Sequence, residues 1–325
     1  MFEKNLDWTI QLFAVVIITV VIGLADYAAG ASPSKGAHKA QSTSGKTPAV
    51  EHPMKTPKMY SKVKRCGNCG MMINMWARTR HVCKHPEGDF TSCSIHCVAD
   101  KEKNSGQPVS DVHVALYLHP DKMIPADQAA YVIGSKAKGT MTMRSKIAFG
   151  NKAQAEQFAV TYGGVVTDFA GALKAAAMEL PTAAPMIDQR RKRTGKIKAV
   201  TKDTVCVVCN MKVANYPGHD CQILQQDNSS IHFCSTHCLI HYLNEPGQYV
   251  KNPKTVKMTW AKVFPTGDYE SAIGLYYVVG SKRLGPMGRE AFPFRSKKAA
   301  DALVLKEGGN IVHFKGLTLQ MVSNQ

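Results

Sequence analysis

Hydrophobic and polar positions divide the chain into three regimes. Residues 9–25 (TIQLFAVVIITVVIGLA) are uncharged and mostly apolar, about the shortest run that spans a bilayer as a helix. Residues 32–62 lose almost every large apolar side chain and are rich in Ser, Thr, Lys, Pro and Gly, the composition of a flexible tether. Beyond them, short segments of strand and helix period interleave. Two strand-like runs, 221–226 and 229–234, flank Asp227-Asn228, which reads as a hairpin. Ser235 is placed to cap a short helix carrying Cys238 and Tyr242, and residues 256–264 alternate as a strand, giving a β-β-α-β unit. The plan then repeats: a strand over 275–279, a short strand over 292–294, a helix over 296–307 stopped by Gly308, and a strand over 311–314. Earlier, Pro86-Glu-Gly-Asp89 takes the hairpin position and residues 152–162 the later helix.

The periodic region is duplicated. Cys66-Gly-Asn-Cys69-Gly-Met71 recurs as Cys206-Val-Val-Cys209-Asn-Met211, and Cys93-Ser-Ile-His96-Cys97 as Cys234-Ser-Thr-His237-Cys238. Tyr131-Val-Ile-Gly-Ser-Lys136 recurs as Tyr277-Val-Val-Gly-Ser-Lys282, and Gly163-Gly164 as Gly308-Gly309, all in one order. Between the copies, PTAAPMIDQRRKRTGKIK is Pro-bearing and very basic, the composition of an interdomain linker. The expected organisation is an anchor or signal segment over 1–31, a tether over 32–62, one module over 63–180, a basic linker over 181–198 and a second module over 199–325. The fold class is α+β: two tandem modules of two small β-β-α-β units each, after an N-terminal transmembrane helix.

Charge sharpens the localisation. The segment ahead of the apolar run is a weak leader, carrying Glu3 and Asp7 against Lys4, so a retained membrane anchor is preferred over a cleaved signal, although Ala29-Gly30-Ala31 resembles a cleavage site. The modules are then expected at the cytoplasmic membrane, facing the periplasm or cell exterior. The 41 Lys and Arg against 24 Asp and Glu leave a net charge of +17, which favours anionic lipid or acidic partners. No nucleic-acid partner is expected. For the Arg190 to Arg193 cluster, a solvated linker is preferred over a lipid-binding patch.

The cysteines carry the chemistry. Ten cysteines are too few for a disulfide scaffold of 325 residues, but they fall into two similar sets of five. A Cys-x-x-Cys pair followed by a Cys-x-x-x-Cys pair gathers four thiols: Cys66, Cys69, Cys93 and Cys97 in copy one, Cys206, Cys209, Cys234 and Cys238 in copy two. Such a set suits Zn(II), or Cu(I) if thioether sulfur joins it. Met71 and Met211, each two residues beyond the second thiol, and Met141 and Met287, in Gly139-Thr-Met141 and Gly285-Pro-Met287, are the candidate thioethers. Core filler is the rival role for a methionine. Cys83 and Cys221 recur between the pairs and fit a core thiol or an auxiliary ligand equally. His96 and His237 are read as lying on the outer side of their helices. No haem attachment motif, phosphate loop or nucleophile elbow is present, so a binding protein is expected and not an enzyme. The alternatives are a structural four-thiolate zinc protein and an extracytoplasmic thiol-disulfide oxidoreductase.

With Cys-x-x-Cys-Gly-Met at Cys66 to Met71, Phe233-Cys234-Ser235, and Tyr-Val-Val-Gly-Ser-Lys leading to Gly285-Pro-Met287-Gly288, the chain resembles the NosL family, accessory copper-binding proteins of nitrous oxide reductase maturation. The resemblance spans roughly residues 63–177 and 200–322. It implies Cu(I) held by cysteine and methionine sulfur, here Cys69, Met71 and Met141 and again Cys209, Met211 and Met287. It also implies delivery to a client copper enzyme such as nitrous oxide reductase. Three features depart from the family: the tandem pair with an apolar segment where a lipidated cysteine is usual, Gly-Thr-Met-Thr in copy one for Gly-Pro-Met-Gly, and a Cys-x-x-x-Cys pair that gives each copy the look of a TRASH-type metal-sensing finger.

Overall fold

A computed structural model describes residues 65–323. The expected anchor and tether lie outside the described residues, and among the described helices none is long and apolar enough to cross a membrane. The first module opens with a cysteine-bearing turn and a short 3-10 segment, Ile73–Thr79. There follow β1 (His81–His85), β2 (Gly88–Ser92), α1 (Ile95–Ser105), β3 (Ser110–Ala115) and β4 (Met123–Pro125), then β5 (Ala130–Ile133), β6 (Lys146–Phe149), α2 (Lys152–Tyr162), β7 (Val165–Thr167) and the long α3 (Phe169–Arg193). The second module runs β8 (Cys221–Gln225), β9 (Ser230–Phe233), α4 (Thr236–Asn244), α5 (Pro246–Tyr249), β10 (Val256–Lys262) and β11 (Tyr269–Ser271), then β12 (Tyr276–Val279), β13 (Phe292–Phe294), α6 (Lys297–Glu307), β14 (Asn310–His313) and α7 (Leu319–Val322).

The two modules repeat one topology. Sheet order β2-β1-β3-β4 is matched by β9-β8-β10-β11, and β6-β5-β7 by β13-β12-β14, with every pairing antiparallel. Each half-module is thus the expected β-β-α-β unit, the first of each pair extended by an edge strand that sequence periodicity did not reveal. The hairpins form where expected because register follows burial: Cys221 lies opposite Phe233 and Ile223 opposite Ile231, placing Cys221, Ile223 and Phe233 in the core. Helix α6 starts at Ser296, whose side chain accepts from the Ala299 N–H, and stops at Gly308 with φ 76°, where glycine is favoured.

The apolar clusters stay within modules. Tyr131, Ala148 and Ala172 belong to one, and Ile223, Leu239 and Tyr277 to another. Between the modules lies a polar seam. The Arg65 guanidinium donates to the Val256 and Lys257 carbonyls at 2.9 and 2.5 Å, Lys101 reaches the Tyr276 hydroxyl at 3.1 Å, and His313 lies 3.2 Å from Glu87. Gly274 meets Asn68 so closely that an added Cβ would stand 2.1 Å from its carbonyl oxygen.

The basic segment 181–198 departs from the expected linker, because α3 runs unbroken as far as Arg193. Its inward positions Ala172, Ala176, Leu180 and Ala183 keep a helical spacing straight through Pro181 and Pro185, which fall on the solvent side, where the carbonyls that lose an N–H partner are open to water. The arginine cluster is also not uniformly solvated. Arg191 is buried, ion-paired to Glu270 at 3.1 Å and stacked 4.7 Å over Trp260. The linker is therefore a helical splint with its body on α1 and its end on the second module.

Candidate metal centres

Each centre is built from a tight turn and a helix entrance. In copy one the Cys66 N–H donates to Met71 O at 2.8 Å and the Gly70 N–H to Cys66 O at 3.0 Å; in copy two Cys206 N donates to Met211 O and Asn210 N to Cys206 O, both at 2.8 Å. Residue 70 or 210 must turn left-handed, with φ 72° and 61°, a conformation open to Gly and tolerated by Asn. The Gly-to-Asn departure between the copies thus preserves the turn. Cys93 and Cys234 sit one residue before the helix caps Ser94 and Ser235, while Cys97 and Cys238 lie in the first helical turn. The second thiol pair of each module thus comes from a strand exit and a helix start aimed at the same point.

Four sulfurs meet in each module. Those of Cys66, Cys69, Cys93 and Cys97 all lie within 4.8 Å of one another, as do those of Cys206, Cys209, Cys234 and Cys238. Cys69 to Cys93 spans 3.5 Å, Cys93 to Cys97 3.6 Å, Cys209 to Cys234 3.6 Å and Cys234 to Cys238 3.6 Å, and all are free thiols. A tetrahedral ion with metal–sulfur bonds of about 2.3 Å has edges of about 3.8 Å, so the donors fit a thiolate-bound metal. Cys209 is half-buried and the other seven are buried.

The electrostatics favour a cation. Burial pushes the Cys66 thiol up, but hydrogen bonds from Cys69, Cys93 and Cys97 hold it well below the ordinary thiol range. Hydrogen bonds from Cys234 and Cys238 do the same for Cys206. The donors are pushed up in turn, Cys93 by burial and by Cys66, and Cys97, Cys234 and Cys238 by bonding to the favoured thiolate. Each cluster therefore holds one anion readily and resists further ionisation until a cation arrives, at which point it releases protons.

The methionines take neighbouring places. Met71 and Met141 pack with Trp76 against the first thiol cluster and line one cavity with Cys69. Met211 and Met287 pack against the core that contains Cys206, Cys234 and Cys238, and the Tyr216 hydroxyl donates to the Met211 sulfur at 3.2 Å. Gly285 and Gly288 exchange backbone hydrogen bonds of 2.8 and 3.1 Å, presenting Pro286-Met287 at the tip of a turn. In copy one that role falls to side chains that motif spacing did not flag. The Thr79 hydroxyl, within hydrogen-bond reach of both Cys93 O at 2.7 Å and Thr140 Oγ1 at 3.1 Å, ties the Met141 turn to the thiol cluster. Threonine thus stands usefully where copy two has Pro286.

Cys83 and Cys221 lie outside the clusters. They are core thiols, Cys83 donating to Phe90 O and Cys221 to His219 O, each at 3.6 Å, and burial raises both, Cys83 to about 12. His96 and His237 are not on an outer face as expected: they are 4% and 8% exposed, and the His237 Nδ1 lies 3.0 Å from Arg289 O. The helices carrying them are covered on that side by the later half of each module, which helix period alone did not reveal.

The sequence profile of the NosL family matches residues 57–177 and 197–322. A copper-binding lipoprotein NosL of Achromobacter cycloclastes is 33% identical over 132 residues, covering 38% of this chain and 68% of the relative. Another, of Stutzerimonas stutzeri, is 28% identical over 115 residues, covering 34% of this chain and 60% of the relative. The crystal structure of the copper chaperone NosL from Shewanella denitrificans aligns at 26% identity with a TM-score of 0.34, covering 38% of this chain and 96% of that one. The solution structure of apo-NosL from Achromobacter cycloclastes aligns at 28% identity with a TM-score of 0.26, covering 31% and 87%.

Proposed function

Because this chain belongs to the NosL family through both of its halves, we propose that it is a two-site copper carrier, taking up Cu(I) and passing it to a client metalloenzyme. Its modules face the outer side of the cytoplasmic membrane, held there through residues 1–31, and nitrous oxide reductase is the client that family membership points to. The chain binds its metal as cargo and does not transform a substrate. One observation carries this function: each module gathers four thiols, with two methionines packed against them in the first module and two packed against the core that contains three of them in the second. Thioether sulfur stabilises Cu(I) far more than Zn(II), whereas thiolates serve both. Cys69, Met71 and Met141 in the first module, and Cys209, Met211 and Met287 in the second, are the sulfurs assigned to Cu(I). Cys66, Cys93, Cys97, Cys206, Cys234 and Cys238 complete the clusters.

A structural zinc role is the rival, favoured by sulfur spacings close to the edges of a tetrahedral four-thiolate site. A disulfide oxidoreductase fits less well, since redox Cys-x-x-Cys pairs open a helix, and here the pair lies on a turn closed by Cys66 N to Met71 O. Anaerobic purification, metal analysis and competition with a Cu(I) chelator separate these. Copper retained at both clusters supports the carrier. Stoichiometric zinc that a Cu(I) source does not displace contradicts it.

A further inference from the structure

Beside the first thiol cluster, three more methionines line a cavity at the seam between the modules. Its volume is about 160 Å3. One side is Cys69, Met71 and Met141; the others are Met143 from the turn before β6, Met186 from α3 and Met258 from β10 of the second module. Five of the chain's 15 methionines therefore wall one cavity.

Packing accounts in part for Met258, which lies half-buried against Ile197, Trp260 and Tyr269, but not for Met143 and Met186. Met143 is 77% exposed and Met186 42% exposed, so neither fills a core, and the cavity stays open to an arriving ion. Met258 is anchored at the seam, its sulfur 3.7 Å from the Arg65 guanidinium, which leaves a second lone pair available. Neutral thioethers select soft monovalent ions, Cu(I) or Ag(I), and give little to Zn(II), Mg(II) or Ca(II). Arg190, Lys196 and Arg191, the last ion-paired to Glu270, border the same cavity, and these charges oppose tight retention of a cation held by uncharged ligands.

We propose that Met143, Met186 and Met258 form a low-affinity entry site for Cu(I), from which the ion moves to Cys69 and the first thiol cluster. This rests on the copper assignment of that cluster. In the transfer a copper–thioether bond breaks as a copper–thiolate bond to Cys69 forms, the Cys69 proton leaves to water, and copper remains Cu(I). Because Met186 comes from the linker helix and Met258 from the second module, the entry site exists only in the tandem chain and serves only its first cluster.

The test uses the full chain, made with methyl-13C methionine and titrated anaerobically with chelator-buffered Cu(I), with Ag(I) and with Zn(II) as separate probes. Early in the Cu(I) and Ag(I) titrations the methyl resonances of Met143, Met186 and Met258 shift, and Zn(II) leaves them in place. In the M143L/M186L/M258L variant the first cluster, followed by thiolate-to-copper absorbance, loads at least tenfold more slowly, while Met178→Leu, an exposed methionine outside the cavity, loads at the parent rate. Filled thiol clusters with unmoved methyl signals, or an unaltered loading rate in the triple variant, overturns the entry site alone. Methyl shifts with no loading of the thiols overturn the transfer step and the copper assignment of the cluster together.

Discussion

At the residue scale, the two copies reach one turn with different side chains, and the reasons are local. Gly70 has a left-handed backbone, and an added Cβ there would stand 2.7 Å from Ser271 Oγ across the seam, so a side chain would have to displace that hydroxyl, whereas Asn210 takes the left-handed turn at an exposed position. Met141 adopts φ 62°, an unfavourable region for a long side chain, costing on the order of 1–2 kcal/mol. Such strain in a proposed ligand predicts opposed effects: Met141→Gly lowers Cu(I) affinity in the first module while thermal unfolding of the apo chain stays level or rises. A fall in both would assign Met141 to packing. Glu290 supplies a pH signature in copy two. Burial raises its carboxyl to about 7, although its Oε1 accepts from the His237 and Ala291 N–H groups at 2.6 and 3.1 Å. A folded-state value above the unfolded one means the native state holds the proton more firmly. Stability from this group is therefore full below the ordinary carboxylate range and is lost as pH rises to about 7. At about 1.4 kcal/mol per tenfold change, the ceiling is about 3 kcal/mol. Glu290→Gln should stabilise the apo chain at pH 8 relative to the parent but not at pH 4, as read by urea unfolding; equal effects at both would remove the titration. The thiols and Cys-x-Met spacing were legible in sequence because they recur. Thr79, Thr140, Tyr216 and Glu290 were not, because each acts through a contact between segments that no local spacing encodes.

At the element scale, the strands and helices of the second copy follow the hydrophobic period to within a residue or two. Turn chemistry at Asp227-Asn228 and Gly308 fixes their ends. Where periodicity failed, a composition rule had been outweighed. Two prolines and a run of arginines marked 181–198 as an irregular linker, yet the small apolar positions Ala176, Leu180 and Ala183 continue a helical stripe that α1 covers. The end of that helix is fastened by Arg191 on Glu270 and Trp260. Arg191→Gln removes the ion pair and the stacking and leaves Glu270 with only Arg295, at 3.3 Å. Loss of one partner of a mostly buried pair predicts a cost of about 1–3 kcal/mol. The fraying should be local, faster hydrogen exchange over the last two turns of α3 with the sheet cores unaltered. Uniformly faster exchange in both modules would instead make the splint part of one shared core.

At the scale of the whole molecule, duplication has produced two separate apolar interiors joined by polar contacts and one helix. Residues 63–198 and 199–325, expressed apart, should each fold cooperatively and keep a four-thiol cluster, the first module losing the contacts that Arg65, Glu87, Lys101 and Arg191 make with the second. Two aggregating halves would show that the seam is indispensable. The duplication itself was plain in sequence, since four landmarks recur in order. The seam was invisible there, because Gly70, Gly274 and Met258 have no pattern linking them before the chain folds. The central claim, that the clusters hold Cu(I) with help from thioether sulfur, is tested most directly in the second module, away from the seam cavity. Met211→Leu with Met287→Leu keeps size and apolarity, so folding should persist. Anaerobic chelator competition should then show Cu(I) affinity at that module falling tenfold or more, at least ~1.4 kcal/mol, with Zn(II) affinity unaltered. A Cu(I) affinity within about threefold of the parent, under ~1 kcal/mol, would make these methionines core filler and the clusters structural zinc sites.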